Sequence, residues 1–322
     1  MADENETTRV TLPPISGGSL REAELPGVGG VAWPRAERSE SPLVQGLRRL
    51  RRSVTALVGV AIVVALVLVA IFADVLAPMS PIVSNQTRTF ERPSWEHPLG
   101  TDQLGRDMLS RIIHGSRISL AIGVSSVLLA LFVGVPFGMI AGYYGGRVDR
   151  LVMRVMDLIL AFPIYLLAII LMVMFAPTAG LIGTMKVTGA IAIVRIPIYA
   201  RLVRGSVLSI KEKEYIEACR SVGVRDPIIL LRHVLPNCLA PIIVTTTLGI
   251  ATSIIVEATL SFLGLGTQPP TPSWGWDLKA NVAFIQAHPW LSLFPGLAIF
   301  VTVLGFNLFG DGLRDALDPR LK

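Results

Sequence analysis

Glu217-Ala218-Cys219-Arg220-Ser221-Val222-Gly223, followed after nine residues by His233-Val234-Leu235-Pro236-Asn237, is the stretch of this chain whose spacing has the clearest use. It is charged, yet it stands between hydrophobic runs. Glu217 and each arginine would cost about 2.5–3.5 kcal/mol at the centre of a bilayer, so the segment must lie at a membrane face. Gly223, lacking a Cβ, permits a turn between two short helices. Pro236 is suited to the first turn of the next helix. Glu217 offers a charge to a partner. The plainer alternative is a solvated amphipathic loop with no partner.

Ionisable residues inside apolar runs are the second group, because burying them unpaired is expensive. Glu257 lies in Glu257-Ala-Thr-Leu-Ser261-Phe-Leu-Gly-Leu-Gly266, and either it faces a pore or a subunit interface, or it pairs locally to hold two helices together. Asp157 is close enough along the chain to Arg150 and Arg154 for an interfacial ion pair. Arg195 sits in the middle of an apolar run and must point at protein or a cavity rather than lipid. With Ser261, these are the pore or gating candidates. Pro163 and Pro197 free backbone carbonyls inside apolar runs and are candidate kinks.

Other chemistry has no residues to carry it. No Gly-x-x-x-x-Gly-Lys-Ser/Thr phosphate loop occurs, and Gly183-Thr-Met-Lys186 is not one. Ser, His and acidic side chains fall in no catalytic motif, and the four histidines and two cysteines have no zinc-ligand spacing. No cofactor and no metal is expected on this chain, and energy must come from another chain or an ion gradient. Cys219 and Cys238 are expected to be reduced thiols on the cytoplasmic side.

The elements that hold these residues are hydrophobic spans. The 322 residues are 52% hydrophobic and 16% charged, with mean hydropathy +0.62, where soluble domains average about a quarter charged. The net charge of +6 does not point to nucleic acid, because the basic residues flank apolar runs and orient the chain against a bilayer. Residues 1–45 are polar and broken by Pro13-Pro14, Gly17-Gly18 and Gly29-Gly30, which predicts a disordered cytoplasmic tail. Arg48, Arg49, Arg51 and Arg52 then hold the N-terminus inside, ahead of a first span over Val54 to Ala73. After a polar loop, Asp102 can cap a helix with Leu104, Met108, Leu109, Ile112 and Ile113 on one face and Arg106, Asp107 and Arg111 opposite, lying on the outer surface. Residues 46–117 thus comprise the first span and an external amphipathic segment. Residues 118–322 form a five-span core with a cytoplasmic loop over 205–240. Its spans are Ile118–Gly142, Val155–Phe175, a short Val187–Ala200 interrupted by Arg195 and Pro197, Pro241–Gly264 and Leu291–Phe309. The short one is required by charge parity: the basic residues 147–154 and 201–232 both belong inside, so two crossings separate them. The expected fold is all-α integral membrane with six transmembrane helices and both termini cytoplasmic.

The 217–237 spacing resembles the cytoplasmic coupling loop of importer-type ABC permeases, Glu-Ala-Ala, three residues, Gly, nine residues, Ile-x-Leu-Pro. Cys219 and His233 are departures, and the His-x-Leu-Pro-Asn ending is typical of the dipeptide, oligopeptide and nickel branch. Gly100-Thr-Asp102-Gln-Leu-Gly-Arg106-Asp107, Glu257 to Gly266 and Gly310 to Arg320 each resemble the C-type subunit of that branch. The resemblance covers about Arg48 to Lys322. It implies a type I importer permease of the bacterial inner membrane, with Glu217, Ala218, Gly223, His233, Leu235, Pro236 and Asn237 docking on an ATPase. Asp102, Arg106 and Asp107 fall in its external segment. It also implies a sibling permease, two ATP-binding subunits carrying ATP and Mg, an external substrate-binding protein, and di- or oligopeptides as substrate. Nickel is the alternative substrate. An ion-coupled secondary transporter, with Glu257 and Asp157 as relay groups, is the rival class, but it leaves the coupling loop unexplained and typically shows internal repeats, of which none is visible. A membrane scaffold without transport is a third reading.

Overall fold

The computed structural model describes residues 53–317, and the predicted tail, the Arg48–Arg52 cluster, Arg320 and Lys322 lie outside these. Long apolar runs dictate helices, because a backbone in lipid must satisfy its own hydrogen bonds. Among the described residues the regular elements are all helical, with two isolated β-bridges and a long, largely irregular segment between Leu76 and Met108. The helices are α1 (Val54–Ile71), α2 (Met108–Tyr144), α3 (Gly146–Leu160), α4 (Ile164–Phe175), α5 (Gly180–Ile210), α6 (Glu214–Ser221), α7 (Leu235–Phe262), α8 (Trp274–Asn281) and α9 (Trp290–Leu317). Five helical runs among the described residues are long and apolar enough to cross a membrane: α1, α2, α5, Asp226–Phe262 and α9. The pair α3 and α4 passes the same test jointly but is bent by 88°. The break falls at Ala161–Pro163, inside the predicted third span, and Pro163 supplies the residue that cannot continue a helix. Pro197, by contrast, is carried inside an unbroken α5.

Two sequence boundaries need correction. The external amphipathic helix does not exist as a separate element. Gly100 and Gly105 adopt left-handed φ values of +78° and +68°, which end any helix there. Asp107, not Asp102, caps α2: its Oδ2 accepts from the Ser110 backbone N–H at 2.8 Å and the Ser110 hydroxyl at 2.6 Å. The helix then runs without interruption to Tyr144, 37 residues or about 55 Å, well beyond the thickness of a hydrocarbon core. The second correction is α5, which has 31 residues rather than the 14 of its apolar stretch. Arg195 lowers the hydropathy of that stretch, yet it is 6% exposed and packs against protein, so lipid never meets it.

Helices α2 and α5 form the most extensive helix pair. Gly134, Gly138 and Gly142 recur every fourth residue along the α2 face that meets α5. A Cβ on them would stand 2.9 Å from Tyr199 Cβ, 3.0 Å from Val203 Cβ and 2.8 Å from Val207 Cβ respectively. Small residues let backbones approach where lipid offers no hydrophobic drive between helices. Helix α7 packs on α2, α5 and α9, and α1 closes on α9.

Candidate functional site

Helix α6 has one face for the core. Ile216 is fully buried among Val203, Val207, Ile229, Val234 and Cys238, while Glu217 and Ala218 face solvent. The helix ends in a Schellman motif: Gly223 N–H donates to the Arg220 carbonyl at 2.9 Å and Val224 N–H to the Cys219 carbonyl at 3.0 Å. Gly223 takes φ +78°, and nothing lies within 4 Å of where a Cβ would be, so backbone conformation alone demands glycine. Helix resumes at Asp226 with Pro227 in its first turn.

The helical run from Asp226 continues into α7 without a gap, and Pro236 stands in the first turn of that helix. Having no N–H, it breaks the ladder, and Ile229–Val234 just before it is wound as a π-helix, with Leu235 N–H reaching back to the Leu230 carbonyl. Asn237 Nδ2 donates to the His233 carbonyl at 2.6 Å. Glu217, Gly223, Pro236 and Asn237 are exposed or half-buried at the surface, and His233 and Leu235 are half-buried. Val222 (78% exposed) and Leu231 (61%) add bare apolar surface beside them. Cys219 and Cys238 are both free.

Glu257 is fully buried. Its carboxylate accepts hydrogen bonds from Ser261 at 2.8 Å, Ser273 at 3.0 Å and Ser119 at 3.2 Å. These hydroxyls come from α7 itself, the cap of α8, and α2, so Glu257 and Ser261 are enclosed and line no surface of this chain. The geometry within this chain is local pairing, in which three hydroxyl donors offset the desolvation of the buried carboxyl group. Asp157 pairs with Arg201 Nη2 on α5 at 2.7 Å rather than with Arg150 or Arg154, and both side chains are more than half exposed. Arg195 lies in a niche opened by Gly249, where a Cβ would stand 2.7 Å from Arg195 Nη2 and 2.8 Å from Tyr199 Oη.

The 97–111 region is buried rather than an exposed polar face. Asp102 accepts from the backbone N–H of Leu104 and of Arg106, each at 2.9 Å, and from Arg106 Nε at 2.7 Å. His97 Nδ1 lies 3.0 Å from Asp107 Oδ1. Arg111 Nε donates to Asp277 Oδ1 at 2.7 Å, and its Nη1 to the Pro81 carbonyl at 3.0 Å. Trp274 Nε1 donates to the Ile112 carbonyl at 2.9 Å. Asp149 and Arg204 form a further pair, bonded at 2.5 and 2.6 Å, that ties the start of α3 to α5. Sequence reading missed Asp277, Arg204, Asp149 and Tyr143 as partners. Their mates are 55 to 166 residues away, and no local signal links them.

Residues 134–322 match the family described as binding-protein-dependent transport system inner membrane component. The chain belongs to that family. Residues 41–93 of the permease match a second model, the N-terminal TM domain of oligopeptide transport permease C. The permease is 46% identical over 282 residues to the dipeptide transport system permease protein DppC of Alkalihalophilus pseudofirmus, covering 88% of this chain and 91% of that one. It is 45% identical over 289 residues to the glutathione transport system permease protein GsiD of Pectobacterium atrosepticum and of Escherichia coli O157:H7, covering 89% and 94%. Its fold is similar to that of a chain in the inward-facing structures of the MetNI methionine ABC transporter, with TM-score 0.53 and 18% identity over 66% of this chain and 98% of that one. It is a multi-pass membrane subunit of an importer, not an enzyme in its own right.

Proposed function

We propose that this permease forms half of a translocation path for di- or oligopeptides in a bacterial inner membrane. A sibling permease forms the other half, and an external binding protein delivers the substrate. Two ATP-binding subunits, which hold ATP and Mg, dock on the loop over 205–240 and drive the cycle. The observation that carries this reading is the segment from Glu214 to Asn237: a glycine-terminated helix with Glu217, Ala218 and Val222 exposed at its surface, anchored by buried Ile216, and Leu231 exposed in the helical stretch that follows. Exposed apolar residues beside charges suit a surface that another protein covers. Relatives named for dipeptides and for glutathione, itself a short peptide, support the substrate class. Six crossings place this segment inside, with α3 and α4 counted as one broken span and both termini cytoplasmic. The basic residues at 147–154 and 201–232 then lie inside too.

A mild-detergent pull-down from native membranes tests the assembly, with mass spectrometry of the co-purifying chains. A sibling permease and phosphate-loop ATPases are expected. Recovery of this chain alone, still transporting when reconstituted, would overturn the reading.

A further inference from the structure

Both arms of the Gly223 turn meet one side chain of α2. Tyr143, in the last turn of that helix, is 8% exposed and donates its hydroxyl to Asp226 Oδ1 at 2.8 Å. Asp226 opens the helical run after the turn. Arg220, in the last turn of α6 before the turn, lies over the Tyr143 ring at 4.9 Å, and its Nε approaches the same hydroxyl at 3.4 Å. Residues 77 and 83 positions away in sequence are thereby fixed to one phenol, one on each side of the only left-handed residue in the segment.

The ring itself packs in the cluster of Met139, Val203, Val207, Ile210 and Ile216. Gly145 and Gly146, with φ of +64° and +56°, come directly after Tyr144 and turn the chain into α3, whose Asp149 is held by Arg204 of α5. Tyr143 thus stands where the coupling segment, α2 and the entry to the bent α3–α4 pair converge.

We propose that Tyr143 is the positioning residue that transmits movement of the coupling segment into α2, by holding Arg220 and Asp226 in a fixed relation across Gly223. Packing of Ile216 alone is non-directional and would let the segment roll on the core. The hydroxyl–carboxylate bond is directional, and being charge-assisted it is stronger than a neutral one. A push on α6 then displaces the end of α2 rather than being absorbed at the glycine. This role rests on the docking function proposed above for the segment.

The test is Tyr143→Phe, which keeps the ring, its packing and the stacking of Arg220 over it, and removes the hydroxyl with its bond to Asp226 and its longer contact with Arg220 Nε. The full complex is reconstituted in liposomes, and dipeptide uptake is measured together with ATP turnover. The expected result is normal assembly and continued hydrolysis, with substrate moved per ATP falling about tenfold, the scale carried by one hydrogen bond to a charged group. Asp226→Asn, which still accepts from the phenol, should lose less than Tyr143→Phe, whereas Asp226→Ala should match it. If Tyr143→Phe yields no complex, the Asn and Ala variants at 226 decide by the same ratio. Unchanged stoichiometry in Tyr143→Phe or in Asp226→Ala, beside an uncoupled Gly223→Val control, overturns the transmission role and leaves the docking reading standing. Unchanged stoichiometry in Gly223→Val as well overturns the docking reading itself.

Discussion

At the start of α2, Asp107, Arg111 and Asp277 are at most 2% exposed, and each carboxylate or guanidinium is held by its partners inside the protein. At the other end of the same helix, Glu217 and Gly223 face solvent, and the segment that bears them is joined to α2 through Tyr143 and a patch of apolar packing. The first region draws residues from as far as 166 positions apart into one buried network, which fixes a single arrangement. The second relies on a left-handed glycine with open space around it, so its angle is set by few contacts. Helix α2 thus has one end fixed by many buried polar contacts and one end held by fewer, the asymmetry that the proposed transmission through Tyr143 requires.

The sharpest way to break this contrast is at the buried pair. Arg111→Ala leaves Asp277 buried without its guanidinium, and loss of about 3–5 kcal/mol is expected, enough to abolish folded permease in the membrane. Thermal unfolding of the purified complex, or failure to recover it, measures this. Glu257→Gln should cost less, about 1–2 kcal/mol, because the amide oxygen still accepts from Ser261 and Ser273 while the amide nitrogen cannot accept from Ser119. A modest drop in melting temperature with transport retained is the expected pattern, and a specific loss of transport at full stability would restore a direct pore role. Asp157→Asn should cost less still. It breaks an ion pair with Arg201 in which both groups are more than half exposed, worth about 0–1 kcal/mol. No change in uptake is expected. Deleting residues 1–40 should leave insertion and uptake unaltered, since the arginines at 48–52 remain, and an inverted protein in a protease-accessibility assay would contradict the topology.

How much of this the sequence made legible depends on the range of the forces involved. Hydropathy is local, so α1 is found close to its bounds, whereas α7 and α9 are found at one end each and extend past the apolar stretch at the other, to Leu235 and to Leu317. Gly223 can be assigned its turn because only a residue without Cβ adopts that φ at little cost. The failures lie where a distant residue changes the meaning of a local pattern. Arg106, Asp107 and Arg111 read as an exposed polar face, yet their partners Asp102, Ser110 and Asp277 keep them buried, and no periodicity announces a partner from α8. Arg195 makes α5 look too short because its niche is opened by Gly249 on another helix. Glu257 stands out as a buried acid, but the three serines that satisfy it come from separate elements. The Gly134-x-x-x-Gly138-x-x-x-Gly142 stripe is a legible signal that the span assignment passed over.

The central claim is that force enters through the Gly223-centred segment. Gly223→Val has no steric neighbour within the chain and meets only backbone strain at φ +78°, so the spans should fold and insert as before. The decisive measurement is substrate uptake against ATP turnover for this variant in the reconstituted complex. Hydrolysis should persist, weakened by poorer docking, while uptake per ATP falls steeply. Uptake and stoichiometry equal to those of the unaltered protein would contradict the claim.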